Sequence, residues 1–188
     1  MSNGADTKSR IIETAFVLFQ SYGYHAVGVN QIIEDSHTPK GSLYYHFPGG
    51  KEEIALEVLQ RAERLVTENI TISMAQHKNA ADAFDNLLRK LKKNIFSEQG
   101  HFSVTLLALE TAHVSEQLRQ ASVQALDAWI ALYEQKLLEA GYGQARARTL
   151  AIAIETHIDG SINMAIIFED PKYLDRARTV VAEMLTTT

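Results

Sequence analysis

The run Thr38-Pro-Lys-Gly-Ser-Leu-Tyr-Tyr-His-Phe-Pro-Gly-Gly-Lys51 concentrates groups suited to phosphates and base edges. Lys40 supplies charge, and Gly41 and Ser42 are small enough to let a backbone come close. Tyr44 and Tyr45 carry hydroxyls that reach phosphate oxygens. This mixture is poor core material and suits a short helix laid in a DNA groove. Leu43 and Phe47 read as core, but two adjacent tyrosines cannot both point inward on a short helix. His46 fits either a phosphate contact or a local cap. Thr38 is a good N-cap, and Pro39 suits the first helical position, where no amide is needed. The segment reads as the second helix of a helix-turn-helix, its N-terminal end facing base edges.

Other chemistries lack their signatures. There is no Gly-x-Ser-x-Gly elbow, His-Glu-x-x-His pair, dinucleotide glycine fingerprint or calcium loop, and Gly50-Lys51 lacks the flanking pattern of a phosphate-binding loop. No catalytic residue, metal site or cofactor is expected. His113 and His157 have no second ligand at useful spacing and read as satisfied polar positions. Cysteine is absent, which excludes disulfides and thiolate zinc sites and suits a cytoplasmic location. The polar N-terminus lacks a signal peptide's apolar stretch, and Glu155, His157 and Asp159 interrupt the most apolar segments, so no membrane span is expected.

Net charge is −5, yet residues 1–51 carry four cations (Lys8, Arg10, Lys40, Lys51) and four carboxylates, so the excess acid lies entirely after them. A locally basic face on an acidic body remains compatible with DNA.

The elements that must position these groups are helical. Ile11, Ala15, Leu18, Phe19 and Tyr22 form one stripe over about Asp6–Tyr22, which Gly23 ends. A short helix follows over Val29–Asp35, anchored by Ile32 and Ile33. His37 sits where the next turn bends, in a conformation glycine often fills. A long helix starts at Lys51 and runs to about Met74, with Ile54, Val58, Ala62, Leu65, Val66 and Asn69 along one side. Asn79 resembles a cap for a helix carrying Phe84, Leu87, Leu88, Leu91 and Ile95. Lys90, Lys92 and Lys93 read as its solvated face. Further helices are expected over Phe102–His113, from an N-cap at Ser115 to Ala140, over Gln144–Glu169, and from Asp170-Pro171 to about Leu185. With 46% hydrophobic residues the chain can bury a substantial core. The expectation is an all-α protein.

Residues 7–56 resemble the DNA-binding domain of the tetracycline-repressor (TetR) family. Thr7-Lys-Ser-Arg-Ile-Ile-Glu-Thr-Ala, Leu18-Phe19, Gly23-Tyr24, Val29 with Ile32, and Lys51-Glu-Glu match, and the run Lys40-Gly-Ser-Leu-Tyr-Tyr-His-Phe47 is very specific. The resemblance implies an N-terminal three-helix helix-turn-helix domain, residues 1–50, and a helical ligand-binding and dimerisation domain, residues 51–188. It implies DNA contact by Asn30 and Gln31 on the second helix and by Thr38, Lys40, Ser42, Tyr44 and Tyr45 on the third. Lys51 would reach phosphate. Pro39-Lys40-Gly41-Ser42 and Pro48-Gly49-Gly50-Lys51 look like a subgroup of drug- and flavonoid-responsive repressors. Val27-Gly28 replaces the family's usual hydroxyl residues, and Ser36-His37-Thr38 a commoner Ala-Gly-Val turn.

The expected function is a dimeric repressor that binds a palindromic operator and is released by a small, apolar aromatic ligand. Polar and aromatic residues within apolar helices suggest where that ligand sits: Phe102, Leu106, Glu110, His113, Trp129 and Tyr133. Each also reads as ordinary core. The helix holding Leu150, Ile154, Ile158, Ile162 and Ile166 is apolar nearly all round, so a second protomer is expected to cover Ile154, Ile158, Gly160, Ser161, Ile162 and Ala165. Two other classes stay open, a helical protein-binding bundle without DNA binding and a small helical enzyme using the internal cavity.

Overall fold

A computed structural model describes residues 3–96 and 103–186. Among the described residues all regular structure is helical: α1 (Asn3–Tyr22), α2 (Val29–Asp35), α3 (Lys40–His46), α4 (Lys51–Gln76), α5 (Ala80–Ile95), α6 (Val104–Thr111), α7 (Glu116–Glu139), α8 (Gln144–Ile167) and α9 (Lys172–Thr186). Phe102, one of the expected ligand contacts, lies outside the described residues.

Local chemistry explains most helix ends. Gly23 (φ +80°) and Gly141 (φ +94°) take the left-handed conformation that closes α1 and α7. Asn79 Oδ1 accepts the Asp82 amide at 3.2 Å and Ser115 Oγ the Leu118 amide at 3.1 Å, both as expected of N-caps. Ser103 caps α6 in the same way, accepting the Leu106 amide at 3.0 Å. Asp170 Oδ1 accepts the Lys172 amide, so Pro171 stands just before α9 rather than inside it.

The chain divides into two compact units. The first comprises the described residues within Met1–Arg64 and Phe102–Ala125, the second those within Leu65–His101 and Leu126–Thr188. The first half of α4, together with α6 and the start of α7, belongs with α1, α2 and α3. Helix α4 runs unbroken from Lys51 to Gln76.

In the first unit α1, α2 and α3 pack on one another around Ile11, Ala15, Phe19, Val27, Ile32, Leu43 and Phe47, each 3% exposed or less. Tyr22 departs from the expected stripe and is exposed, because it sits in the last turn before Gly23. In the second unit α8, α9 and α5 pack together. Leu65, placed on the apolar side of α4 by its spacing, is exposed, whereas Leu59, Ile70 and Met74 are buried.

Helix α8 is the one described helix long and apolar enough, by length and composition, to cross a membrane, a test that buried core helices also pass. Its Leu150, Ala151, Ile154, Ile158, Ser161, Ile162 and Ala165 are buried within the protomer. That overturns the expected dimer surface. Ile154, Ile158, Ser161, Ile162 and Ala165 are already covered by the chain's own helices, and of the six expected residues only Gly160 faces outward. The cause is periodicity. An apolar stripe looks the same whether its cover is intramolecular or a second copy.

Candidate nucleic-acid interface

Helix α3 turns its polar residues outward because Leu43 and the C-cap Phe47 are its anchors. Both are fully buried, while Tyr45 is 80% and Tyr44 42% exposed. Neither tyrosine points inward. Lys40 and Gly41 are exposed, and Ser42 and His46 partly so. No side chain would contact a Cβ added at Gly41, so its backbone is open to approach. On α2, Asn30 is exposed and Gln31 half-exposed around the buried Ile32. The structure thus places Asn30, Gln31, Lys40, Gly41, Ser42, Tyr44, Tyr45 and His46 on the accessible parts of two short helices.

Thr38 is a correction. It is 3% exposed, and its Oγ1 donates to the Ser36 carbonyl at 3.2 Å. A side chain so enclosed is unavailable to DNA. Nor does it cap α3, whose N-cap is Pro39 with no side-chain cap bond. The turn is held differently. His37 adopts φ +49°, the positive value its position required, and Arg10 of α1 donates from Nε to the Ser36 carbonyl at 2.9 Å. Arg10 was not singled out from sequence; only the fold brings it across 26 positions to the turn.

The four cations of this region are not equivalent. Lys8 pairs with Glu57 at 2.5 Å, and Arg10 lies 3.7 Å from Asp6. Lys51 stands 4.2 Å from the centroid of the Tyr24 ring, a cation–π contact. Burial lowers the Lys51 pKa, and the Glu110 carboxylate opposes that shift. Among the described residues, Lys40 alone of the four has no ion-pair or ring partner. Its charge is the one left for an external phosphate. The N-cap of α2 is Gly28, without a side-chain cap bond. Val27 is buried, so it offers nothing to a phosphate.

The residues expected around a ligand fall in different places. Leu106 is half-exposed, His113 is exposed, and Glu110 bonds to the α1–α2 turn: its Oε2 accepts the Tyr24 amide at 2.5 Å. Glu110 is therefore corrected from a ligand contact to a contact within the first unit. In the second unit Trp129 is buried and donates from Nε1 to Thr67 Oγ1 at 3.1 Å. Tyr133 is also buried, edge-on to Phe84 with ring centroids 5.2 Å apart. Tyr133 neighbours Glu155, a carboxyl on α8 that sequence reasoning did not single out. Burial, then the Asp159 charge, pushes the Glu155 pKa up to about 7, against the Tyr133 hydrogen bond. Burial likewise raises Tyr133 well above the ordinary phenol. Glu155 was legible only as an interruption of an apolar run. His157, read as satisfied, has its Nε2 buried with no hydrogen-bond partner among the described residues.

Comparison with known proteins adds independent evidence. Residues 11–58 match the family "Bacterial regulatory proteins, tetR family", and residues 78–180 match "Transcriptional regulator LmrA/YxaF-like, C-terminal domain". The chain is 37% identical over 173 residues to the HTH-type transcriptional regulator YxaF of Bacillus subtilis, covering 90% of each chain. It is 34% identical over 187 residues to the HTH-type transcriptional regulator LmrA of the same organism, covering 98% of this chain and 99% of that one. Among solved structures, Escherichia coli NemR in its reduced form superposes with a TM-score of 0.85 at 20% identity, over 97% of this chain and 100% of that one. A TetR transcriptional regulator from Legionella pneumophila gives 0.84 at 20% identity, over 97% of each. At that identity the structural likeness speaks for the fold.

Proposed function

The chain belongs to the tetracycline-repressor family of transcriptional regulators, and from that membership we propose that it acts as a dimeric repressor of a palindromic operator, released by a small ligand. The observation that carries the DNA reading is the outward face of α2 and α3, where Lys40, Gly41, Tyr44 and Tyr45 stand exposed around a buried Leu43 and Phe47. Tyr hydroxyls and Lys40 would hold phosphates, and the N-terminal end of α3 would face base edges.

Two copies would place two such helices in successive major grooves, about 34–36 Å apart. The surface that suits a second copy is the exposed stripe of α8: Ile152, Thr156, Gly160, Met164 and Ile167. These recur at i+4 or i+3 and carry no charge, and Gly160 leaves room for a close helix approach. The ligand proposed is apolar and aromatic, taken up near Trp129 and Tyr133 with Glu155 as the polar group that orients it. It would act by preferring the state that does not bind DNA.

The test is a mobility shift with a palindromic fragment from upstream of the protein's own gene. Retardation of that fragment, and not of random duplex at equal salt, is the expected result; equal binding to both would overturn the operator reading. Trp129 is the sole tryptophan. Planar aromatic compounds should quench its fluorescence at the concentrations that release the fragment, and release without quenching would remove the ligand from Trp129.

A further inference from the structure

The described contacts of Glu110, the last charged residue of α6, run to the turn between α1 and α2, 86 positions away in sequence. Its Oε2 accepts the Tyr24 amide at 2.5 Å, and its main-chain carbonyl accepts His25 Nε2–H at 2.7 Å. A carboxylate receiving a backbone N–H makes a charge-assisted bond, stronger than the neutral kind. The turn is shaped to admit it. A Cβ at Gly23 would lie 2.6 Å from Glu110 Oε1, and Gly23 already holds φ +80°. The Lys51 ammonium rests over the Tyr24 ring, and Glu110 favours its charged form. The link between α6 and α7 adds a second tie, since Ser115 Oγ donates to Glu52 in the first turn of α4.

Five residues after Tyr24 the chain enters α2 at Val29. Few dihedrals separate the clamped amide from Asn30 and Gln31, so fixing the turn fixes where α2 begins. We propose that Glu110 is a positioning residue for DNA reading. Its carboxylate holds the Tyr24 amide, sets the α1–α2 turn, and so fixes where α2 presents Asn30 and Gln31. This inference rests on the DNA-binding function proposed above. It differs from that function in placing a determinant of sequence recognition on a helix that carries no DNA-contacting residue. Glu110 adds no charge that attracts phosphate. Its loss should therefore blur specific recognition and leave the electrostatic attraction for any duplex in place.

The experiment uses the full chain, with Glu110→Ala and Glu110→Gln beside the unaltered protein. Three readouts are taken: affinity for the upstream palindromic fragment, affinity for random duplex at the same salt, and amide hydrogen exchange at Tyr24. In Glu110→Ala, affinity for the palindrome should fall tenfold or more. Affinity for random duplex should change less than twofold, and the Tyr24 amide should exchange at least tenfold faster. Glu110→Gln keeps a side-chain oxygen that can accept the amide, and should recover most of the lost discrimination. A residue that merely stabilised the unit would lower both affinities together and would leave their ratio unmoved. An unchanged ratio in Glu110→Ala overturns the inference while the DNA-binding function stands. Failure of the unaltered protein to prefer the palindrome overturns both. Unchanged Tyr24 exchange in Glu110→Ala overturns the clamp itself, whatever the affinities.

Discussion

Helix α3 places one of its seven residues, Leu43, in the core, whereas α8 buries nine of its 24. The rest of α3 is turned outward, and what keeps the reading helices in place is largely polar and long-range: Arg10 on the Ser36 carbonyl, Glu110 on the Tyr24 amide, Lys51 over the Tyr24 ring. Helix α8 is held by apolar burial with α9 and α5, and its one deeply placed charge-bearing group, Glu155, is unwelcome there. A surface reserved for a partner cannot also contribute to a core. Substitutions on the buried face of α8 should therefore act through stability, and those on α3 through binding.

The largest effect should come from breaking the α8 core. Ile158→Arg buries an unpaired charge at a residue 3% exposed and is expected to cost about 3–5 kcal/mol in urea unfolding. Ile152→Arg, on the exposed stripe, should leave folding nearly intact and shift sedimentation from dimer to protomer. If Ile158→Arg folds normally while Ile152→Arg unfolds, the inward and outward faces of α8 are reversed.

The buried carboxyl gives the next effect. Glu155 has a folded-state pKa of about 7, raised from an ordinary 4.5. Between those values the unfolded chain releases a proton that the folded chain keeps, so stability falls as pH rises from 4.5 to about 7 and levels off beyond. The span corresponds to about 3 kcal/mol as an order of magnitude. Glu155→Gln should flatten that slope and stabilise the protein at neutral pH; an unaltered slope in urea titrations across this window would assign it to other groups.

On the binding side the effects are smaller and leave stability alone. Lys40→Ala should weaken binding to every duplex by about 1.5 kcal/mol per protomer and reduce the salt slope by about one unit. Lys51→Ala should do less, because its ammonium already rests on the Tyr24 ring. Equal losses in both variants would show that DNA draws Lys51 off the ring. The smallest change is Asn79→Ala, which removes the α5 cap and should cost about 1 kcal/mol in thermal unfolding with no effect on DNA affinity.

Much of this protein is written locally. Periodicity located nearly every helix, and Asn79, Ser115, Gly23 and Gly141 marked their ends, because caps and left-handed glycines act within a few residues of themselves. The outward chemistry of α3 was equally legible, since Leu43 and Phe47 at i and i+4 fix which way Lys40, Tyr44 and Tyr45 must face. The tertiary structure alone decided the cover of each apolar stripe and the partners of each lone polar group. Ile154, Ile158 and Ile162 looked like an interface and are core, because a stripe records that it is buried and not by what. Thr38 looked like a DNA contact and is enclosed in its own turn. Glu110 looked like a pocket residue and holds the amide of Tyr24, because a hydrogen bond across 86 positions leaves no periodic trace in the chain.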